Sequence, residues 1–358
     1  MIKIIIDKDI PFIDGVFEPY AKVLYMKGSD IKNSDLKDVD GIIIRTRTKC
    51  NESLLGASSV KFIASATIGQ DHVDLDYCKA NNITFTNAIG CNARGVMQYV
   101  FTSLFYVAEK LGLNILPAKG LEPLTIGIVG YGHVGKEVAA FGRFLGFNIL
   151  INDPFKEKEY LSGRVSKNNN PFVPLDFLLR NSDIVSMHPS LNESSFKMIN
   201  KKFFELIREG AIFINASRGE VLIDSFLLEY KDKLKAIVLD VWNNEPNISL
   251  DVLNVSTLAS PHLAGYSLEG KINGTQMVVR QAAEFFGINE LKSFLIAEDP
   301  CYRKEDYYID FKNMGQKEIA DALLKIFPIF EQDSILRDEP LGFENQRSLY
   351  KYRREFNY

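Results

Sequence analysis

Cysteine, tryptophan and histidine are all scarce in this chain of 358 residues, which holds four, one and four of them respectively. Cys50, Cys78, Cys91 and Cys301 stand far apart with no C-x-x-C pair, so no metal site is expected and reduced thiols in a cytoplasmic protein are. No apolar run approaches the ~20 residues of a membrane-spanning helix. The N-terminus, MIKIIIDKDI, meets charge before a signal peptide's apolar core can form. A net charge of only −4 gives no general attraction to nucleic acid or an anionic membrane, while leaving room for a local basic pocket. Internal repeats and low-complexity segments are missing too.

What is present is the composition of a packed globular protein, 46% hydrophobic with 25 Phe and 15 Tyr, at a length beyond one ordinary core. The chain is organised around Leu124–Gly135, LTIGIVGYGHVG. An apolar run (Ile126, Ile128, Val129) ends at Gly130, Gly132 and Gly135 complete G-x-G-x-x-G, and Val138, Ala139, Phe141 and Leu145 follow at helical intervals. Gly130 permits the turn, Gly132 admits a pyrophosphate to the backbone, and Gly135 lets helix pack on strand. His133 and Val134 then open a helix whose free N–H groups face the phosphates, the His133 ring itself pointing to solvent. The next apolar run, Phe147–Ile151, ends in Asn152 and Asp153. An acidic side chain there accepts from an adenosine ribose and repels a 2′-phosphate, so NAD is expected rather than NADP.

Residues 1–93 read as a first α/β unit, with strands at Lys3–Ile6, Gly41–Arg45, Phe62–Ser65 and Thr84–Thr86 and no glycine motif, so it is expected to serve the substrate. Arg45, Thr46, Arg47, Thr48 and Lys49 end one strand, at the edge where open α/β sheets bind ligands. After another strand, Thr67, Ile68 and Gly69 offer backbone N–H groups as an anion nest; His72, between Asp71 and Asp74, reads as structural. A long apolar helix, Asn92–Leu111, connects to the nucleotide region, whose later strands fall at Ile184–Met187, Ala211–Asn215, Ala236–Asp240 and Thr257–Ala259. Asn168, Asn169, Asn170 and Pro171 mark a loop, and a helix at Leu268–Phe286 returns to the first domain. The expected architecture is α/β: a flavodoxin-like substrate domain, 1–93 completed by 267–290, and a Rossmann NAD domain, 94–266, each a doubly wound parallel sheet. Residues 291–358 are too few for a large core and too aromatic for a disordered tail. They read as a small α+β domain burying one face against a second subunit, hence a homodimer.

Three motifs sit at strand ends of the nucleotide region: INASRGE around Arg218, LDVWNNEP around Asp240 and Glu245, and SPHLAGYSLEG around His262. Oxidation of a hydroxyl-bearing carbon needs a base for the hydroxyl proton, for which histidine's near-neutral pKa is suited. It also needs a cation with the planar fork of arginine for a carboxylate. A carboxylate beside the histidine stabilises the imidazolium. His188, at another strand end, is the rival base.

In this order the motifs resemble the D-2-hydroxyacid dehydrogenase family over residues 1 to 290. The resemblance implies that Arg218 binds the substrate carboxylate and carbonyl, His262 is the acid/base and Glu245 its partner. It further implies that Asp240 lies near the nicotinamide and Asp153 on the ribose. A narrower likeness within the family rests on VDGIIIRTRTKCNESLL, ATIGQDHVD, AIGCNARGVMQYVF and HLAGYSLEGKINGT. It implies a small phosphorylated hydroxy acid as substrate, touched by Arg45, Thr46, Thr67, Ile68, Gly69 and Tyr266, with Ala216, Ser217 and Gly265 bordering the cofactor. It also implies that Arg347, in ENQRSLYKYRRE, reaches a phosphate from the partner subunit, whereas Arg347, Arg353 and Arg354 read on their own as exposed charges. HPSL departs from the family pattern by placing Pro189, which has no N–H, where a hydroxyl residue near the cofactor is expected, with Ser190 as the substitute. The alternatives are a family member acting on 3-phosphoglycerate and a catalytically silent NAD-binding regulator.

Overall fold

Runs as apolar as IIID, GIII, FIAS and AIVL suit strands covered on both faces by crossovers, the environment of a parallel sheet. The structure, a computed structural model, describes residues 1–116, 122–162, 170–297 and 304–358. It divides into two compact units, Met1–Asn92 with Leu268–Tyr302 and Ala93–Ser267 with Arg303–Tyr358. Cys301, Asn168 and Asn169 lie outside the described residues; Cys50, Cys78 and Cys91 are buried. Among the described residues no helix is long and apolar enough to cross a membrane.

In the first unit β1 (Ile2–Asp7), β2 (Ala21–Met26), β3 (Gly41–Ile44), β4 (Phe62–Ser65) and β5 (Thr84–Asn87) form one parallel sheet in the order β2-β1-β3-β4-β5, the flavodoxin-like winding. Strand β2 carries no strong sequence signal because it is a half-exposed edge whose apolar residues do not form a buried run. One face of the sheet packs on Phe17, Val278, Val279 and Ala282, the other on Leu36, Leu54, Leu55 and Cys78. The helix Leu268–Phe286 belongs to this unit, and Phe62 stacks on its Phe285 at 4.7 Å between centroids.

The second unit holds β6 (Thr125–Val129), β7 (Asn148–Asn152), β8 (Ile184–Met187), β9 (Ile212–Asn215), β10 (Ala236–Leu239) and β11 (Leu258–Ala259), paired as β11-β10-β9-β8-β6-β7. Phe172 adds a parallel bridge to Ile151 outside β7. Counted with that bridge as a third strand, the order is the 3-2-1-4-5-6 winding of dinucleotide-binding sheets with one strand appended. The helix Ala93–Leu111 lies largely within this unit's core.

Residues 303–358 group with the nucleotide unit rather than standing apart. Among the described residues they form the helices Gln316–Ile326, Ile329–Asp338 and Phe343–Leu349, with isolated bridges at Tyr308–Asn357 and Ser267–Arg353 in place of a sheet. The reason is aromatic: Phe311, Phe327 and Phe356 are buried in the same core as Phe101 and Phe141. Phe141 meets Tyr358, Phe311 and Phe356 at 4.6, 5.2 and 5.3 Å, and each such pair contributes about 0.5–1.5 kcal/mol beyond burial. The same segment covers the edge strand β11. Asp333 accepts from the Ala259 amide at 2.7 Å, and Arg337 donates to the carbonyls of Leu253 and Ser256 at 2.9 and 2.7 Å.

Candidate active site

The glycine turn is shaped for a pyrophosphate. Gly130 has φ +91°, a side chain there would strike the His188–Pro189 peptide, and one at Gly135 would come within 2.1 Å of the Gly130 carbonyl. At Gly132, by contrast, a Cβ would meet nothing within 4 Å. This glycine therefore leaves open space at the start of the helix His133–Phe144, where N–H groups and the helix dipole favour an anion. His133 is exposed there and Val134 half-buried. The Asp153 carboxylate accepts from the amides of Tyr131 and Lys156 at 2.8 and 3.0 Å, one on each oxygen, which ties it to the glycine turn with lone pairs to spare. Turn, open approach and carboxylate together fit a dinucleotide with a free 2′-hydroxyl. At Pro189, which the sequence flagged, the backbone itself abuts Gly130.

In the first unit the corresponding winding switch, between β1 and β3, is closed by side chains. Arg45 Nε and Nη2 donate to Asp7 and Asp9 at 3.2 and 2.8 Å, so much of this guanidinium is already committed within the unit. Thr48 is buried and donates to the Gly28 carbonyl, and Thr46 is exposed. The loop after β4 keeps the expected nest: the amides of Thr67, Ile68 and Gly69 take no acceptor among the described residues. Ser65 Oγ lies 2.8 Å from Thr67 Oγ1 and 3.2 Å from His72 Nε2, the structural place foreseen for that histidine.

Three strand-end loops of the second sheet are sewn together. After β9, Asn215 Oδ1 accepts from Ser217 N and Oγ while its amide donates to the Arg218 carbonyl. A side chain at Gly219 would fall 2.0 Å from the Trp242 backbone, so glycine is needed for Arg218 to lie against the loop after β10. In that loop Trp242 N donates to Glu245 Oε1 at 3.0 Å, and Asn243 donates to Leu222 O and Asp224 Oδ1. His262 Nδ1 stands 2.7 Å from Glu245 Oε2, which places a proton on Nδ1 and leaves Nε2 as the acceptor. The His262 side chain is 29% exposed and Glu245 20%.

His262 has φ +56°, a conformation that persists only where surroundings over-determine it. Asp240 supplies much of that constraint. Its carbonyl accepts from His262 N at 2.7 Å, and its carboxylate accepts from Ser260 Oγ, Leu263 N and Ala264 N at 2.6, 2.7 and 2.9 Å. Asp240 is wholly buried, so its visible work is to hold the histidine loop; Tyr99, 2.8 Å from Ser260 Oγ, supports it from below. Burial pushes the Asp240 carboxyl upward, opposed by the nearby His262 and by these donors. Burial also works against ionised Glu245, but the charge and hydrogen bond of His262, the Arg347 guanidinium and the Trp242 amide outweigh it and hold that carboxyl low.

Arg347 reaches this place within one chain. Its Nη2 lies 3.3 Å from Tyr266 Oη, its Nη1 donates to Glu344 at 2.8 Å, and its Nε is buried without a partner. Burial disfavours its charge, yet Tyr266, Glu245 and Glu344 keep it cationic. Arg347, expected to reach a phosphate from the partner subunit, stands next to Tyr266 of its own chain. Gly265, which precedes Tyr266 in the same loop, is half-buried. His188, the rival base, stands 2.8 Å from Ser186 Oγ, and burial pushes its pKa down to about 3.

A nucleotide-binding winding joined to a histidine–carboxylate pair defines an NAD-dependent oxidoreductase acting on a hydroxyl donor. The sequence model for the NAD binding domain of D-isomer specific 2-hydroxyacid dehydrogenases matches residues 108–264, and the chain belongs to that family. The erythronate-4-phosphate dehydrogenase of Bacteroides fragilis is 37% identical over 361 residues, covering 99% of this chain and 97% of that enzyme. The enzyme of that name from Acinetobacter baumannii is 32% identical over 99% and 98% of the two chains. Among solved structures, the NAD+-bound 3-phosphoglycerate dehydrogenase of Entamoeba histolytica has 23% identity and a TM-score of 0.64, covering 83% of this chain and 99% of that one. The D-lactate dehydrogenase of Aquifex aeolicus, solved with NAD and lactic acid, has 22% identity and a TM-score of 0.61 over 83% and 100%. These structures share the fold.

Proposed function

We propose that the chain oxidises 4-phospho-D-erythronate to 3-hydroxy-2-oxo-4-phosphobutanoate, a step of vitamin B6 synthesis. The observation that carries this is the Glu245–His262 pair, 2.7 Å apart with no partner on Nε2 among the described residues, beside the half-buried Arg347, whose Nε has no partner among them either. The names of the full-length relatives support the substrate. The Gly130–Gly135 turn, Asp153, Ala216 and Ser217 would hold NAD, which when bound accepts the hydride lost from C2. As the C2–H electron pair leaves and C2=O forms, His262 Nε2 takes the hydroxyl proton. Glu245 keeps the other proton on Nδ1 and balances the imidazolium. Arg218 pairs with the carboxylate and the developing carbonyl oxygen, while Thr46 and the amides of Thr67, Ile68 and Gly69 are further ligands for the acid. Arg347 and Tyr266 take the phosphate.

A homodimer is also part of this reading. Ile335 and Leu349 are exposed and line one groove on the C-terminal helices, an apolar surface suited to a second copy and checked by light scattering. The buried thiols of Cys50 and Cys78 support a cytoplasmic setting. The test of function is NADH formation with 4-phosphoerythronate and, separately, 3-phosphoglycerate, in the presence of a carbonyl trap. Turnover with phosphoerythronate alone is expected. Preference for phosphoglycerate would move the enzyme to that substrate, and no hydride transfer to NAD from either would favour a silent regulator.

A further inference from the structure

The loop carrying His262 is held from two sides by buried charges of opposite sign. On one side Asp240 collects the amides of Leu263 and Ala264. On the other, the Arg353 guanidinium collects the carbonyls of the same residues, with Nη1 donating to Leu263 O at 2.9 Å and Nη2 to Ala264 O. Arg353 also donates to Tyr266 O at 3.3 Å and to Gly95 O at 2.8 Å, at the start of the helix Ala93–Leu111. Its guanidinium carbon lies 4.1 Å from the centre of the Phe327 ring, and the residue is only 6% exposed. The neighbouring backbone completes the clamp. Ser267 and Arg353 form a parallel bridge, and Ser267 Oγ donates to Glu355 Oε1 at 2.6 Å. The peptide group joining Leu263 to Ala264 therefore runs from a buried anion on its N–H to a buried cation on its carbonyl, in the loop that carries a histidine with φ +56°.

We infer that Arg353 is a positioning residue for the reaction, which makes the C-terminal tail part of the catalytic apparatus of its own chain. The inference rests on His262 being the base. Arg353 touches neither substrate nor cofactor in this role; it acts through the carbonyls that fix the His262 loop. A guanidinium suits the task because its donors form a rigid fork able to serve several carbonyls at once, which a lysine ammonium does not match. A reacting group displaced by about 1 Å loses on the order of 100-fold in rate.

The test compares wild type, R353M, R353K and H262Q, all as full-length protein with NAD and 4-phosphoerythronate, folding being checked by circular dichroism and NADH fluorescence. R353M is expected to bind NADH normally, to lose about 100-fold in kcat with KM changed less than about threefold, and to regain part of kcat in millimolar methylguanidinium. R353K should fall between the two. A folded R353M with wild-type kcat, or one whose loss follows its unfolded fraction with no rescue, overturns the inference. If R353M does not fold, R353K carries the test: reduced kcat with normal NADH affinity supports the clamp, and wild-type kcat refutes it. H262Q separates the two levels. Full turnover in H262Q refutes the assignment of the base, whereas an inactive H262Q beside an unaffected Arg353 variant refutes the clamp alone.

Discussion

His188 and His262 both follow strands of the same parallel sheet, at the edge where such sheets bind ligands, yet only one is equipped as a base. His188 has a serine for company, no carboxylate partner among the described residues, and a pKa driven by burial to about 3, so it stays neutral near pH 7. His262 has Glu245 on Nδ1, an Nε2 with no partner among the described residues and a backbone forced into the left-handed region. Position at a strand end therefore makes a histidine available for chemistry, and the second carboxylate, brought from a different loop, makes it useful.

The largest way to test that contrast is His262→Gln. Loss of the general base predicts a fall in kcat of about 10³-fold with NADH affinity within about threefold of wild type, read by steady-state kinetics and nicotinamide fluorescence. Glu245→Gln keeps a hydrogen-bonding shape but removes the charge, and should cost about 10²-fold in kcat; an effect on KM alone would contradict its role.

Acid unfolding sharpens the contrast further, because the two sites lose stability in different windows. His188 is neutral when folded but protonates near 6.5 when unfolded, so stability falls as pH drops from 6.5 toward about 3. Glu245 is depressed when folded, so its contribution is complete above its ordinary 4.5 and is lost as pH falls through the lower folded value. Denaturant midpoints measured against pH should flatten below 6.5 in His188→Gln and only below 4.5 in E245Q. The smallest effect expected is on turnover in His188→Gln, within about threefold of wild type, since glutamine can still meet Ser186; a loss equal to that of H262Q would erase the distinction.

The nucleotide half of this account was legible in the sequence because its signals are local. The glycine turn, Asp153 and the apolar strands each announce themselves within a few residues, and the expected helix Leu268–Phe286 has those bounds in the structure. What was not legible depends on contacts across long separations. Arg45 reads as a free cation beside its strand, but Asp7 and Asp9, 38 and 36 residues away, occupy it. Arg353 reads as an exposed charge in a run of arginines, but the carbonyls that bury it lie some ninety residues earlier, the Leu263 carbonyl at a separation of 90. The terminal aromatics were recognised as needing a partner surface, and Phe141 supplies one within the chain. Nothing short of the folded core could have pointed to it.

With four histidines in the whole chain, nitrogen-15 NMR of histidine-labelled enzyme reaches the central claim directly. The account predicts that neutral His262 carries its proton on Nδ1, facing Glu245, with Nε2 bare, and that His188 shows no titration between about pH 5 and 9. A neutral His262 protonated on Nε2 would leave its bare nitrogen on the Glu245 side, with Nε2 unable to take the substrate's proton, and would contradict the mechanism.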